Sequence, residues 1–504
     1  MKKAIAIISA VLWFSSIAYQ GIAQTSNTKI RTVITTDGEV DDQDSFIRLL
    51  MYSNEFHIEG LIYSSSQWHY KGDGKGKKMT SEMPMTAKRY GERTDLRWPG
   101  TEWMQQSINK YAMVYNNLLK HDKDYPSPEY LKSIVKVGNI DFEGEMSVNT
   151  EGSDFIKKIL LDDKPGPVYL QIWGGTNTIA RALKSIEDEY KSTAQWQAIY
   201  KKVSNKAILY TVLDQDATYR KYVAISWPDI RVMYNSAQFW SFAYLWPQVV
   251  PAELKPELQG KWMAEHIKFN HGPLMSSYFV WGDGQKITGD LEDIQGDTLS
   301  EQVKKFGIGK FDFISEGDSP AFLYLVNVGL RSLEDASYGG WGGRMVQSKI
   351  NPHRWEDGKD VTDYDPYTKK QDDAYPQTRW IEVLQNDFAA RANWCVNDYK
   401  HANHAPIVKL ETAANISAAP GAKIELRGLA TDPDGDQLSY NWWQYKEAGS
   451  FNGDIAIQNA KTPTTSFIIP KEAKVGETIH VIFEVSDSGT PKLTRYLRVI
   501  VTVK

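Results

Sequence analysis

Thr35-Thr36-Asp37-Gly38-Glu39-Val40-Asp41-Asp42-Gln43-Asp44 is the stretch on which both fold and chemistry turn. Before it, Thr32-Val33-Ile34 is a short apolar run that reads as a buried strand. After it, Ser45-Phe46-Ile47-Arg48-Leu49-Leu50-Met51-Tyr52 reads as a helix. Five acidic side chains, Asp37, Glu39, Asp41, Asp42 and Asp44, therefore crowd a strand-to-helix loop. Like charges this close repel, so the cluster requires a cation or shifted pKa values. In an α/β protein such a loop lies at the carboxyl edge of the sheet, where ligands bind. A hard cation held by carboxylates, calcium foremost, is the natural inference. Capping of the following helix is the plainer alternative, but it accounts for only one or two of the five acids.

Working outward, strand-like and helix-like segments alternate from residue 29 to about 404. Phe56 to Tyr63, Pro167 to Ile172 and Ala207 to Val212 read as strands. Met104, Ile108, Tyr111, Tyr115 and Leu118 recur at helical spacing, and Gly174-Gly175 opens another helix. The rhythm predicts an α/β domain with a mostly parallel, Rossmann-like sheet covered by helices on both faces. Beyond His404-Ala405-Pro406 the pattern changes to short strands separated by turn signals such as Asp432-Pro433-Asp434-Gly435. Residues 405–504 therefore read as an all-β, immunoglobulin-like sandwich. Asp432, Asp434 and Asp436 have the opening spacing of a calcium loop, but the glycine comes early and the closing Glu is missing. That stretch reads first as a turn, with a peripheral calcium site as the alternative.

Residues 1–23 read as a secretory signal. Lys2-Lys3 precede an apolar run from Ala4 to Phe14 that is too short to span a bilayer, and Gly21-Ile22-Ala23 offers a cleavage site. This predicts an exported protein, periplasmic or extracellular, with no membrane span. Loss of Lys2 and Lys3 takes the formal charge from -5 to -7, which argues against nucleic acid as a partner. The 41% apolar and 24% charged content is that of a globular chain. The single cysteine, Cys395, excludes an internal disulfide and reads as a buried, inert thiol. Seventeen tryptophans suit either sugar stacking or large aromatic cores. Lys71 to Lys78 is a basic, glycine-rich loop without P-loop spacing, and Tyr338 to Arg344 is either a ligand-facing turn or a structural crossing.

The segment Asp37-Gly38-Glu39-Val40-Asp41-Asp42 resembles the N-terminal aspartate motif of the nucleoside hydrolase superfamily. It departs from that motif at Thr35, where the family has another Asp, and at Gly38-Glu39, which replaces Pro-Gly. More specifically, the chain resembles secreted bacterial nucleoside hydrolase-like proteins described as cellulose-binding. The resemblance extends to Ser315-Glu316-Gly317-Asp318-Ser319-Pro320, Tyr338 to Arg344, His271-Gly272-Pro273-Leu274 and Asn393-Trp394-Cys395-Val396.

The resemblance implies a calcium ion held by Asp37, Asp42, Asp318 and the carbonyl of Trp173. It also implies a water whose proton passes to Asp37 as it attacks a sugar carbon. Asp41 would meet substrate hydroxyls or stand behind the ligands. Glu316 would be the general acid, with a solvated or ion-paired Glu as the plainer reading. His69, His271, Asp214 and Trp341 are candidate substrate-binding residues, each with a structural alternative; Asp214 and its neighbour Asp216 share a strand end and equally suit capping. The expected activity is hydrolysis of a glycosidic or N-ribosidic bond, in a glycan more than in a free nucleoside. Non-catalytic polysaccharide binding is the alternative, and a surface docking protein a weaker one. Self-association is compatible with the family.

Overall fold

The computed structural model describes residues 29–504; the expected signal segment, 1–23, lies outside the described residues. An eight-stranded sheet organises the first part of the chain. Its strands are β1 (Ile30–Thr36), β2 (Phe56–Tyr63), β3 (Val135–Val137), β4 (Val168–Ile172), β5 (Ala207–Val212), β6 (Arg231–Asn235), β7 (Val346–Gln347) and β8 (Arg354–Glu356). They lie in the order β3-β2-β1-β4-β5-β6-β8-β7, and every pairing is parallel except β8 with β7. β4 and β5 are buried along their whole length, as strands covered on both faces must be. On one face, helices α3 (Glu151–Leu161) and α4 (Asn177–Tyr190) share a core with Val33, Leu170 and Leu209. On the other, α1 (Val40–Met51), α2 (Trp103–His121) and α6 (Ile381–Trp394) bury Phe46, Leu50, Ile108 and Phe388 against Ile34 and Tyr210. Cys395 is buried in this second core, and its thiol pKa is pushed up by burial, in keeping with an inert role.

From Ile407 onward the structure is all β apart from a single 3₁₀ turn. One sheet holds β9 (Ile407–Leu410), β11 (Lys423–Thr431) and β13 (Thr464–Ile468). The other holds β10 (Asn415–Ala418), β15 (Thr494–Val503), β14 (Thr478–Ser486) and β12 (Ser439–Gln444). β9 and β10 have weak apolar alternation and were not anticipated from the sequence. In β11, Ile424 and Leu426 point into the sandwich core and the residues between them are exposed.

β14 and β15 are buried more extensively because the sandwich is docked on the α/β body. Arg498 donates to the carbonyls of Leu330 (2.7 Å) and Tyr338 (2.6 Å), Arg495 pairs with Asp387 (2.9 Å), and the Tyr445 hydroxyl donates to Asp363 (2.6 Å). The glycine-rich segment 338–344 lies in this seam: a Cβ on Gly339 would sit 2.6 Å from the Tyr445 hydroxyl oxygen. It is the structural crossing of the two alternatives.

Candidate functional site

Four neighbouring strands end level. Thr36 of β1 pairs with Tyr63 of β2, Thr35 pairs with Ile172 of β4, and Ile172 pairs with Thr211 of β5. The chain builds outward from β1 to β3 on one side and from β4 to β6 on the other. The β1–β4 junction is therefore the point where strand order reverses, and a crevice opens at its carboxyl edge. The acidic loop leaves β1 there and turns into α1 through Gly38, whose φ of +83° favours glycine. A Cβ on Gly174, at the end of β4, would lie 2.9 Å from the Asp37 Cβ, so glycine lets the two strand ends close together.

Asp41 and Asp42 on the first turn of α1 converge with Asp318, which precedes the short helix α5 (Ser319–Leu323). One carboxylate oxygen from each lies within 4.8 Å of the others. Asp42 and Asp318 are each only 2% exposed. Burial, then the charges of Asp37, Asp318 and Asp41, push the Asp42 carboxyl well above its ordinary range. Burial, Asp41 and Asp37 do the same to Asp318. Asp41 is pushed up to about 8 by burial, then by Glu39 and Asp37. The groups bonded to Asp41 and Asp42 are neutral hydroxyls: Thr36 to Asp42, Ser315 to Asp41 (3.2 Å) and Tyr244 to Asp41 (3.4 Å). Among the described residues no Lys or Arg nitrogen comes within 4.0 Å of these carboxylates. Buried acids that repel one another and lack a cationic partner form a donor set suited to a hard divalent cation.

Asp37 lies beneath the triad rather than within it. Its Oδ2 is buried without a hydrogen-bond partner, and His69 Nδ1 is 3.4 Å away. Burial opposes the charge on Asp37, but the His69 imidazolium outweighs it and holds the carboxyl below its ordinary value. His69 itself is fully buried and is pushed up to about 9: burial works against its charge, and Asp37 and Asp290 overcome it. Asp290 stands 3.7 Å from His69 Nε2 and is held in turn by Arg97 at 2.7 and 3.0 Å. His69 therefore backs Asp37 and does not line the crevice, contrary to the substrate-binding role expected for it.

Trp173 does reach the crevice wall, and its carbonyl accepts a hydrogen bond from Gln215 Nε2 at 2.7 Å, leaving one lone pair. Glu316, the expected general acid, lies two residues from Asp318 but turns away. It is fully buried, bonded twice by Arg48 (2.5 and 2.9 Å), and also by the Tyr278 and Ser319 hydroxyls. A carboxylate holding four hydrogen bonds from three partners anchors α1 to the loop before α5 and does not face the crevice. Asp214 accepts the backbone N–H groups of Tyr219 and Arg220 and pairs with the Arg220 guanidinium, so it caps a helical turn. Asp216 accepts the Asn177 N–H at the start of α4. His271 contacts the Glu265 carbonyl beside α2, away from the crevice, and Trp341 is 1% exposed within the core. Neither lines the crevice.

The sequence reading did not single out the aromatic wall formed by Trp68, Trp240 and Tyr244, nor Gln215, which lies between the two aspartates that were chosen. Tyr244 donates to Glu39 at 3.0 Å, which puts the departure from the Pro-Gly motif in contact with the crevice. The space between these residues is about 70 Å³, room for a few waters and less than small-molecule sites ordinarily offer.

Residues 31–345 match the family model described as the cellulose-binding Sde182, nucleoside hydrolase-like domain, and residues 423–503 match that of the cellulose-binding protein Sde0182, C-terminal domain. A solved nucleoside hydrolase-related hypothetical protein from Saccharophagus degradans, associated with carbohydrate metabolism, superposes with a TM-score of 0.68 at 25% identity, covering 94% of this chain and 100% of that one. A plant nucleoside hydrolase reaches a TM-score of only 0.29 at 11% identity, covering 72% of this chain and 99% of that one, too loose to transfer residue roles. No curated protein matches the chain significantly.

Proposed function

This chain belongs to the Sde182 family of cellulose-binding proteins with a nucleoside hydrolase-like domain, and from that premise we propose that it is an exported, calcium-dependent hydrolase of a glycosidic or N-ribosidic bond in a glycan. The observation that carries this reading is the buried convergence of Asp41, Asp42 and Asp318 without a cationic side chain. Calcium accepts several carboxylates and a carbonyl in a flexible shell, whereas magnesium keeps most of its waters, so this donor set with Trp173 favours calcium. When bound, such a cation makes a neighbouring water more acidic and anchors sugar hydroxyls.

The chain's own groups supply the rest. Asp37, kept ionised by His69, accepts the proton of the attacking water, and the His69–Asp290–Arg97 chain balances its charge. Trp68 and Trp240 offer ring faces to a sugar, and Tyr244 offers a hydroxyl. A second reading, polysaccharide binding without turnover, is favoured by the locked state of Glu316 and the narrow crevice.

A panel of glycans and nucleosides, assayed with and without a chelator and against Asp42→Ala, separates these readings. Chelator-sensitive release of reducing sugar supports the hydrolase. Chelator-sensitive binding without release supports the binding protein. Binding that ignores the chelator, without release, supports a binding protein that does not use the cation, and absence of both binding and release sinks the two together. Export is tested by mass spectrometry of the secreted chain, with an N-terminus near residue 24 expected.

A further inference from the structure

A larger cavity, about 450 Å³, lies beside the aspartate crevice and has no part in it. Gln43 on α1 lines it, while Glu39, Asp41 and Asp42 on the same first turn line the crevice. Its longest wall is a stripe on α2: Trp103, Gln106, Ser107 and Lys110, spaced to share one helix face. Phe279, partly exposed, stands among the other lining residues. The volume is in the range of small-molecule sites, unlike that of the crevice.

Gln106 is exposed and Ser107 and Lys110 are half-buried, so their side chains are accessible from the cavity. Among the described residues, the side chains of Gln106, Ser107 and Lys110 have no protein partner. Gln43 donates to the Gly38 carbonyl at 3.0 Å, which leaves its own side-chain oxygen free. Among the described residues no carboxylate lies within 4.0 Å of the Lys110 ammonium, so ligand oxygens would displace none there. Amides, hydroxyls and the charged ends of Glu102, Lys110 and Lys286, beside the half-buried Phe279 and the largely buried Trp103, suit a ligand with many hydroxyls and an apolar ring face. The wall is also tied to the acidic loop, since a Cβ on Gly38 would meet Trp103 Nε1 at 2.6 Å and Pro99 Cγ at 2.7 Å.

We propose that the cavity lined by Gln43, Trp103, Gln106, Ser107, Lys110 and Phe279 is a second saccharide-binding site, which holds a neutral glucan segment apart from the cation site. The choice of glucan rests on the carbohydrate reading above; the position of the site does not.

The test is calorimetric titration of the full chain with cellohexaose. The proteins compared are wild type, the double variant Gln106→Ala/Lys110→Ala, the cavity-filling Ser107→Trp, and Asp42→Asn. The expected result is a Kd about 10-fold weaker in the double variant and in Ser107→Trp, with binding retained in Asp42→Asn and in chelator. The alanine pair removes surface-facing atoms only, so it decides the matter even where Ser107→Trp does not fold. Unchanged affinity in the alanine pair overturns the site, and loss confined to Asp42→Asn then leaves the cation reading standing alone. Absence of any cellohexaose binding to wild type also overturns it, while chelator-sensitive turnover of another glycan would preserve the hydrolase.

Discussion

Two triads of aspartates among the described residues bring carboxylate oxygens within 4.8 Å of one another: Asp41, Asp42 and Asp318 in the α/β body, and Asp432, Asp434 and Asp436 in a turn of the sandwich. In the turn the charges are used locally. Asp432 accepts the N–H groups of Asp434 (2.9 Å) and Asp436 (3.0 Å), Asp434 accepts from the His404 backbone (2.7 Å) and lies 3.0 Å from its ring, and Asp436 accepts from Ser488 (3.2 Å). One oxygen, Asp432 Oδ2, has no partner among the described residues. In the body, among the described residues, Asp41 and Asp42 meet only hydroxyls and the Asp318 carboxylate accepts no hydrogen bond, while burial raises all three pKa values. Convergence of acids is therefore a weak sign by itself. Convergence in a buried crevice without counter-charge is the stronger one, because the cost of keeping those charges falls on the fold until a cation arrives.

That contrast breaks or holds first on cation affinity. Asp42→Ala should weaken calcium binding by about 100-fold or more in calorimetry, at or beyond the upper end for damage to a metal site, while Asp434→Ala leaves the tight site unaltered. Equal losses in the two variants would erase the distinction. The next largest effect is on stability. Glu316 is a buried acid with a counter-charge, so Arg48→Ala should cost about 3–5 kcal/mol in urea denaturation while cation stoichiometry stays the same. A variant that keeps its stability and loses the cation would place Glu316 in the site after all.

A pH series sharpens the comparison further. Without a cation, folded Asp41 holds its proton up to about pH 8, whereas the unfolded carboxyl releases it near 3.8. The folded state thus binds the extra proton across that window, and its stability falls as pH rises through it. Asp41→Asn should flatten this slope in thermal melts followed in chelator; a slope that persists unchanged would assign it to other groups. The smallest expected effect is that of Asp434→Ala, about 1 kcal/mol from lost turn hydrogen bonds, read as a small drop in melting temperature.

Much of this organisation was written in local patterns. The run from Thr32 through Asp44 announced strand, acidic loop and helix, and the alternation beyond it announced the parallel sheet. The docking of the sandwich was not legible, because Arg498, Arg495 and Tyr445 act on partners 168, 108 and 82 residues away. At the site, proximity in sequence misled in two places. Glu316 sits beside Asp318 yet faces Arg48. Asp214 and Asp216 flank Gln215, but the two acids serve backbone N–H groups and the amide between them reaches the Trp173 carbonyl. A strand end or turn reverses side-chain direction within a residue or two, and composition does not record which way each one points.

By itself the sequence determined the α/β class, the β character of residues 405–504 and the acidic loop at the carboxyl edge of β1, since these follow from periodicity and from the residues that can end a strand. Only the tertiary structure decided which acids remain without a counter-charge. Arg48 neutralises Glu316, His404 meets Asp434, and among the described residues nothing basic reaches Asp41, Asp42 and Asp318. Pairing depends on which helices pack together and how deeply they bury a carboxylate, and those contacts join residues that lie far apart along the chain.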